Sequence, residues 1–310
     1  MALRGAAPRL SYVVGYNVGA GDLVPGSEKR AALEACVDAT AFLGERIFQD
    51  FHVDAFAPTA AAWGKVLDGY AALVAGRNSS CRVMILESNA WPPSGADHAL
   101  ARGVGHGAYA NVAQRRAGRV VVNGYANGLQ AWQGLDDGPW GRLFSQGSLL
   151  IQPNGTVATA AGQVFRMLSD SYAPRVLTTN PGWEGGEGEA DALALASESG
   201  GRIVLRIANW ASSALEVNVT LLSAGQPSPA WWAAAGTVLD GTALPADPAE
   251  QNSPGEPRRG APRDARLPAR PLRGSLQLTL PALSYSVVTL RRLGPATMSA
   301  QGAGDSSDRW

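Results

Sequence analysis

The chain has 310 residues, 45% of them hydrophobic, and its 26 basic and 26 acidic side chains cancel. That balance supplies no basic field for a nucleic acid or an anionic membrane surface, so a neutral substrate fits at least as well as a charged one. Two cysteines and three histidines are too few for a disulfide framework, and no zinc-type ligand spacing appears.

A single Cys36–Cys81 disulfide stays open beside the preferred reading of two buried thiols. Residues Met1 to Leu10 carry two arginines without a continuous apolar core, and no uninterrupted membrane-spanning run follows. Neither an export signal nor a membrane partner is expected from the residues. The triplets at Asn78, Asn154 and Asn218 are glycosylation acceptors only in a secretory compartment.

In chain order, Leu10 to Tyr16 reads as strand, Glu28 to Leu43 as helix, Ile47 to Val53 as strand and Thr59 to Val74 as helix. Arg82 to Leu86 is the next strand, Ala96 to Arg115 a long helix, Arg119 to Asn123 a strand, Ser148 to Gln152 an extended piece and Ala158 to Leu168 a helix. Short apolar runs alternating with helical stretches predict successive βα units around a mostly parallel sheet. Near residue 170 the pattern changes. Ala192 to Ala196, Gly201 to Asn209, Leu215 to Leu222, Leu276 to Leu280 and Ser284 to Leu290 are short β-rich runs without a long helix, which predicts an antiparallel β-sandwich.

The expected organisation is therefore a partial (β/α) barrel over 1–170, a β-sandwich over 171–293 with a flexible loop at 247–273, and a loose tail at 294–310. The loop is dense in proline, glycine and charge, and proline cannot donate to a central ladder. About four strands are predicted in the first region, whereas a complete eight-stranded barrel takes about 250 residues. Either an open α/β sheet carries the sandwich, or the chain holds the second half of a barrel.

Strand ends are where barrel chemistry collects. Arg82-Val83-Met84-Ile85-Leu86-Glu87-Ser88-Asn89 places a carboxylate directly after an apolar run, and Ile47-Phe48-Gln49-Asp50-Phe51-His52-Val53 reads as a strand ending in a histidine. Glu87 and His52 thus form one candidate wall of a site. Trp91 just beyond Glu87, and Trp132 and Trp140 in a Gly-rich loop, suit the apolar face of a sugar ring. Asn89 and Asn127 suit its hydroxyl groups, although an asparagine in a turn is equally explained by its own backbone. Asp50 and Asp54 read better as hydrogen-bond partners or solvated residues, His98 and His106 as helix-surface or helix-packing residues, and Trp231-Trp232 as a sandwich anchor. No dinucleotide loop, phosphate-binding Gly-Lys-Ser/Thr loop or Gly-x-Ser-x-Gly elbow is present.

The strand ends Asp50-Phe51-His52-Val53 and Ile85-Leu86-Glu87-Ser88-Asn89, the long helix after them, and the sandwich segment Leu280-Pro281-Ala282-Leu283-Ser284-Tyr285-Ser286-Val287-Val288 come in a telling order. With Asn252-Ser253-Pro254-Gly255-Glu256-Pro257 and Ala261-Pro262, they resemble the C-terminal portion of the α-L-arabinofuranosidases of glycoside hydrolase family 51 over roughly residues 45 to 293. The resemblance implies a (β/α)₈ barrel joined to a β-sandwich. It also implies a retaining hydrolase that releases terminal arabinofuranose from arabinose-containing oligosaccharides or polysaccharides, without a cofactor or metal. The family nucleophile, at the end of the seventh barrel strand, falls on Glu87, and the sugar-pocket histidine after the sixth falls on His52.

Two departures stand out. The family commonly has a tyrosine two positions after that histidine, where this chain has Asp54. The family acid/base lies in a Gly-Asn-Glu motif at the end of the fourth strand, and no Gly-Asn-Glu occurs here. Retention needs both groups: a nucleophile, and a proton donor that returns as the base. The chain therefore looks truncated relative to the family, with an extracellular location expected only if an export signal belongs to a preceding segment. Three outcomes compete: a hydrolase, active or degenerate; a carbohydrate-binding or accessory protein; and a misassembled product whose unpaired sheet edges prevent stable folding.

Overall fold

The computed structural model describes residues 12–16, 25–42, 47–55, 60–77, 82–90, 99–125, 128–131, 147–153, 155–179, 190–223, 225–228, 230–241, 252, 255–268 and 272–294. Its first region alternates β1 (Tyr12–Tyr16), α1 (Glu28–Thr40), β2 (Ile47–Ala55), α2 (Ala60–Arg77), β3 (Arg82–Ala90), α3 (Leu100–Gln114) and β4 (Val120–Asn123). The four strands form one parallel sheet in the order β1-β2-β3-β4. Sequential order with a helix after each of the first three strands is half of a (β/α)₈ barrel. A small three-stranded sheet follows, from β5 (Leu129–Ala131), β6 (Leu149–Gln152) and β7 (Gly155–Ala158), and leads into α4 (Ala160–Asp170).

Local chemistry explains several boundaries. Ser27 caps α1 by accepting from the Arg30 amide at 3.2 Å, and Thr159 caps α4 by accepting from the Gly162 amide at 3.2 Å. Ala158, expected to open that last helix, is instead the end of β7, because the Thr159 cap defers the helix. β3 runs to Ala90, four residues past the expected end at Leu86, so Glu87, Ser88 and Asn89 are strand residues.

The second region is a β-sandwich built from β8 (Arg175–Leu177), β9 (Ala190–Ala196), β10 (Arg202–Asn209), β11 (Leu215–Thr220), β12 (Leu222–Ser223), β13 (Gln226–Pro227), β14 (Trp231–Leu239), β15 (Arg263–Asp264), β16 (Leu272–Arg273), β17 (Ser275–Leu280) and β18 (Ser284–Arg292). Its main sheet runs β15-β14-β18-β10-β9-β8, with β16 also on β14, and is antiparallel throughout. β11 and β17 pair as the facing sheet. β14 is a nine-residue strand that the sequence does not announce: between Trp-Trp and Thr-Val-Leu, its middle Ala-Ala-Ala-Gly has little intrinsic β preference. Its place beside β18 decides the matter, and a Cβ at Gly236 would lie 2.7 Å from the Val287 carbonyl oxygen. The segment 247–273, expected as loop, also contributes β15 and β16, both two-residue edge strands.

The main sheet is buried on both faces. Leu193, Leu195, Val204, Ala208, Tyr285 and Val287 join a core with α1, α2, α3 and α4, while Ala194, Leu205, Ile207, Val288 and Leu290 face Leu276, Leu278 and Leu280 of β17. Adjacent residues thus serve opposite cores, as the two-residue strand period requires. β17, covered on one face only, alternates exposed and buried without exception.

Polar contacts tie α3 to this sheet. Tyr285 Oη donates to Asn111 Oδ1 at 3.3 Å, Asn111 Nδ2 donates to the Arg206 carbonyl at 3.3 Å, and Arg115 pairs with Asp191 and donates to the Ala192 carbonyl at 2.7 Å. The buried Arg206 guanidinium donates to Ser171 Oγ, Gln114 Oε1 and the Leu168 carbonyl at 3.2, 2.7 and 2.7 Å. Asn252, 1% exposed, donates to the Ala158 carbonyl at 2.7 Å and accepts from the Gly260 amide at 2.6 Å, pinning the sandwich loop to β7. Among the described residues, no helix is long and apolar enough to cross a membrane.

Candidate active site

Glu87 and His52 are register partners across the parallel β2–β3 pair. Paired residues on neighbouring strands lie side by side, so the backbone brings the two expected site residues together at one end of the sheet. His52 is described through its backbone, as are Asp50 and Asp54; Trp91, Trp132, Trp140, Asn127 and His98 lie outside the described residues.

A bulge precedes Glu87. Asp50 pairs with Met84 and His52 with Glu87, so two steps along β2 match three along β3. Such an extra residue re-aims the side chains that follow it. Gly124, after β4, clamps the irregularity: its amide donates to the Ile85 carbonyl at 2.5 Å, and its own carbonyl accepts from Ser88 Oγ at 2.7 Å. A Cβ on Gly124 would stand 2.7 Å from the Leu86 carbonyl oxygen, so this approach requires glycine. Ile85 and Ser88 are buried, Leu86 is 44% exposed and Glu87 is half-buried.

Beneath Glu87 the neighbouring side chains are polar and enclosed. Asn89, 1% exposed, donates through Nδ2 to Glu87 Oε1 at 3.4 Å and accepts at Oδ1 from an Arg102 guanidinium nitrogen at 2.8 Å. Arg102, also 1% exposed, and His106 stand one helical turn apart on α3 and face the same strand end. His106 Nε2 accepts from the Ala90 amide at 3.3 Å. Burial, and then the Arg102 charge, hold the imidazole well below its ordinary pKa, so it stays neutral and can accept.

Tyr125 completes the cluster. Its ring meets His106 edge-on at 4.4 Å and Phe165 at 4.7 Å, and Arg102 stands 6.0 Å from its centroid. Burial raises the Tyr125 pKa, keeping the phenol neutral. A cavity lined by Leu129, Ser148, Leu149 and Phe165 lies beside this aromatic pair, and Glu87 is not among its walls.

Arg102, Gly124 and Tyr125 were not singled out by the sequence reading. Their only local signal is an Arg/His pair four residues apart, the two basic side chains of their helix, and a Gly-Tyr directly after a strand. His106 does pack from the helix, as expected, but inward against the strand end that carries Glu87.

Chemically, the arrangement presents one carboxylate at a strand end, backed by an amide donor and a buried positive charge. Six other described carboxylates are engaged in ion pairs: Glu34 and Asp38 with Arg77, Asp68 with Arg116, Asp191 with Arg115, Asp240 with Arg263, and Glu256 with Arg259. Among the described residues, no group of three His, Cys, Asp or Glu side chains could hold a metal ion.

No family model matches the chain, and no curated protein matches it in sequence. Solved structures do match in fold. The α-L-arabinofuranosidase of Thermotoga maritima in its arabinose complex superposes with a TM-score of 0.68 at 14% identity, covering 92% of this chain and 58% of that one. The family 51 arabinofuranosidase of Xanthomonas axonopodis pv. citri gives 0.68 at 14%, covering 92% and 59%. A family 44 xyloglucanase from Paenibacillus polymyxa also matches, at 0.54 and 10%, covering 84% and 50%. The chain thus shares the fold of these glycosidases and spans less than two thirds of their length.

Proposed function

We propose that this chain is an α-L-arabinofuranosidase-like retaining glycosidase, with its (β/α) region over 1–170 and its sandwich over 171–293, and that Glu87 is its nucleophile. The observation that carries the reading is the Glu87–His52 register pair in the C-terminal halves of β2 and β3. An ionised carboxylate there attacks the anomeric carbon as the bond to the leaving oxygen breaks, and water then releases the sugar from the glycosyl-enzyme ester. His52, Asn89, Trp91 and Trp132 belong to the arabinofuranosyl pocket on this reading, and the substrates are arabinose-bearing oligosaccharides or polysaccharides.

Protonating a natural leaving oxygen requires a second carboxyl group about 5 to 5.5 Å from the first. p-Nitrophenolate departs without a proton, so hydrolysis of p-nitrophenyl α-L-arabinofuranoside isolates the contribution of Glu87. The wild-type protein is expected to hydrolyse it and the Glu87→Ala variant to lose activity by at least about 10³-fold. Equal rates in the two proteins would refute the assignment.

A second reading, a carbohydrate-binding relative without turnover, is favoured by the lack of a Gly-Asn-Glu acid/base motif in the sequence. Binding of arabino-oligosaccharides by calorimetry, with no release of arabinose or p-nitrophenol, would establish it.

A further inference from the structure

We propose that Arg102 and Asn89 act as a positioning pair that fixes the Glu87 carboxylate, an inference that rests on Glu87 being the nucleophile. A guanidinium can only donate hydrogen bonds. Arg102 therefore dictates which end of the Asn89 amide is oxygen: Oδ1 must face the guanidinium, 2.8 Å away, and Nδ2 must point the other way, toward Glu87 Oε1 at 3.4 Å. With both Asn89 and Arg102 only 1% exposed, water cannot compete to turn the amide over. A helix charge is thereby converted into a fixed donor on one carboxylate oxygen. A site of this kind needs its first layer of groups locked by a second.

The same helix grips the next residue. His106, four positions after Arg102, accepts the Ala90 backbone amide at 3.3 Å, so α3 holds β3 at Asn89 through a side chain and at Ala90 through the backbone. Tyr125 stands edge-on to His106, with the Arg102 guanidinium 6.0 Å from its own ring centroid, so one aromatic side chain neighbours both. Gly124 holds the other side of the bulge. The relay is therefore anchored to three elements, and its output is the direction of one carboxylate.

The test compares wild type with Asn89→Leu, Arg102→Met and Arg102→Lys, using kcat and KM for p-nitrophenyl α-L-arabinofuranoside together with crystal structures of the wild type, Asn89→Leu and Arg102→Lys proteins. Misplacing a reacting group by about 1 Å costs on the order of 10²-fold, so Asn89→Leu and Arg102→Met are expected to lower kcat by about 10- to 100-fold, with KM changed by less than about twofold. Arg102→Lys, which keeps one donor for Oδ1, is expected to recover most of that loss, as a merely space-filling role would not. In the crystal of Asn89→Leu the Glu87 carboxylate is expected to swing from its wild-type position. An unmoved Glu87 in Asn89→Leu, or Arg102→Lys as impaired as Arg102→Met, would overturn the relay even in an active enzyme. If Arg102→Met fails to fold, Asn89→Leu and Arg102→Lys decide. If the wild-type protein hydrolyses no arabinofuranoside, the nucleophile reading falls, and the Glu87 position in the Asn89→Leu crystal compared with the wild type alone decides whether the pair positions it.

Discussion

The packing of α3 against the sandwich supports a quantitative test at Gly107. A methyl group there would sit 2.9 Å from Cγ of Tyr285 and closer still to Cδ2 and Cε2, against about 3.4 Å or more for an ordinary contact. The ring cannot swing into solvent, since Tyr285 is 0% exposed and its hydroxyl is held by Asn111. Gly107→Ala is therefore expected to destabilise the protein by about 1–3 kcal/mol through overpacking, outweighing the roughly 1 kcal/mol that alanine gains over glycine inside a helix. Tyr285→Ala alone is expected to cost about 3–5 kcal/mol, as for other buried aromatic side chains. In the Tyr285→Ala background the clash is gone, so adding Gly107→Ala is expected to change sign and stabilise by up to about 1 kcal/mol. Urea unfolding followed by circular dichroism, run as a double-mutant cycle, measures this coupling. Additive effects of the two substitutions would refute the claim that α3 sits directly on the Tyr285 ring.

His106 carries a pH signature. Its folded pKa lies well below the ordinary 6.5, so below about pH 6.5 the unfolded chain takes up a proton that the native state refuses. The stability it confers is complete above that pH and is lost on acidification, at up to about 1.4 kcal/mol per pH unit. Urea unfolding between pH 7.5 and 5 is expected to show a shallower decline in His106→Gln than in wild type; parallel curves would place the imidazole in solvent. Asn252→Ala strips the partners from the Ala158 carbonyl and the Gly260 amide and is expected to cost about 1–3 kcal/mol, readable in the same assay as a lower urea midpoint; a loss below about 0.5 kcal/mol would mean that water replaces both bonds.

Elements whose cause is local were legible in the sequence. β17 announces itself as Ser-Leu-Gln-Leu-Thr-Leu, because one face meets a core and the other does not. β3 announces its first five residues, because Val, Met, Ile and Leu make a run that only a buried strand or helix accommodates. The change from βα units to β-strands is likewise written in the period of the apolar residues. β14 was not legible, since the Ala-Ala-Ala-Gly in its middle carries no strand preference and separates the Trp-Trp and Thr-Val that do, while its pairing with β18 sets the strand. The bulge before Glu87 was equally hidden: it is a mismatch between two chains, visible only when both are aligned.

For the candidate site, the chain by itself determined which residue types stand at the strand ends: a carboxylate at 87, a histidine at 52 and an asparagine at 89. Tertiary structure alone decided that Glu87 and His52 are neighbours, that Arg102 and His106 turn inward rather than toward solvent, and that Asn89 spans the gap between guanidinium and carboxylate. The physical reason is range. Period, capping and turn chemistry act over a few residues, and so can be read along the chain. Burying a charge is decided by what other segments bring to it, and for Arg102 the groups that make burial tolerable arrive from β3 and from the residue after Gly124, 13 and 23 positions away in sequence.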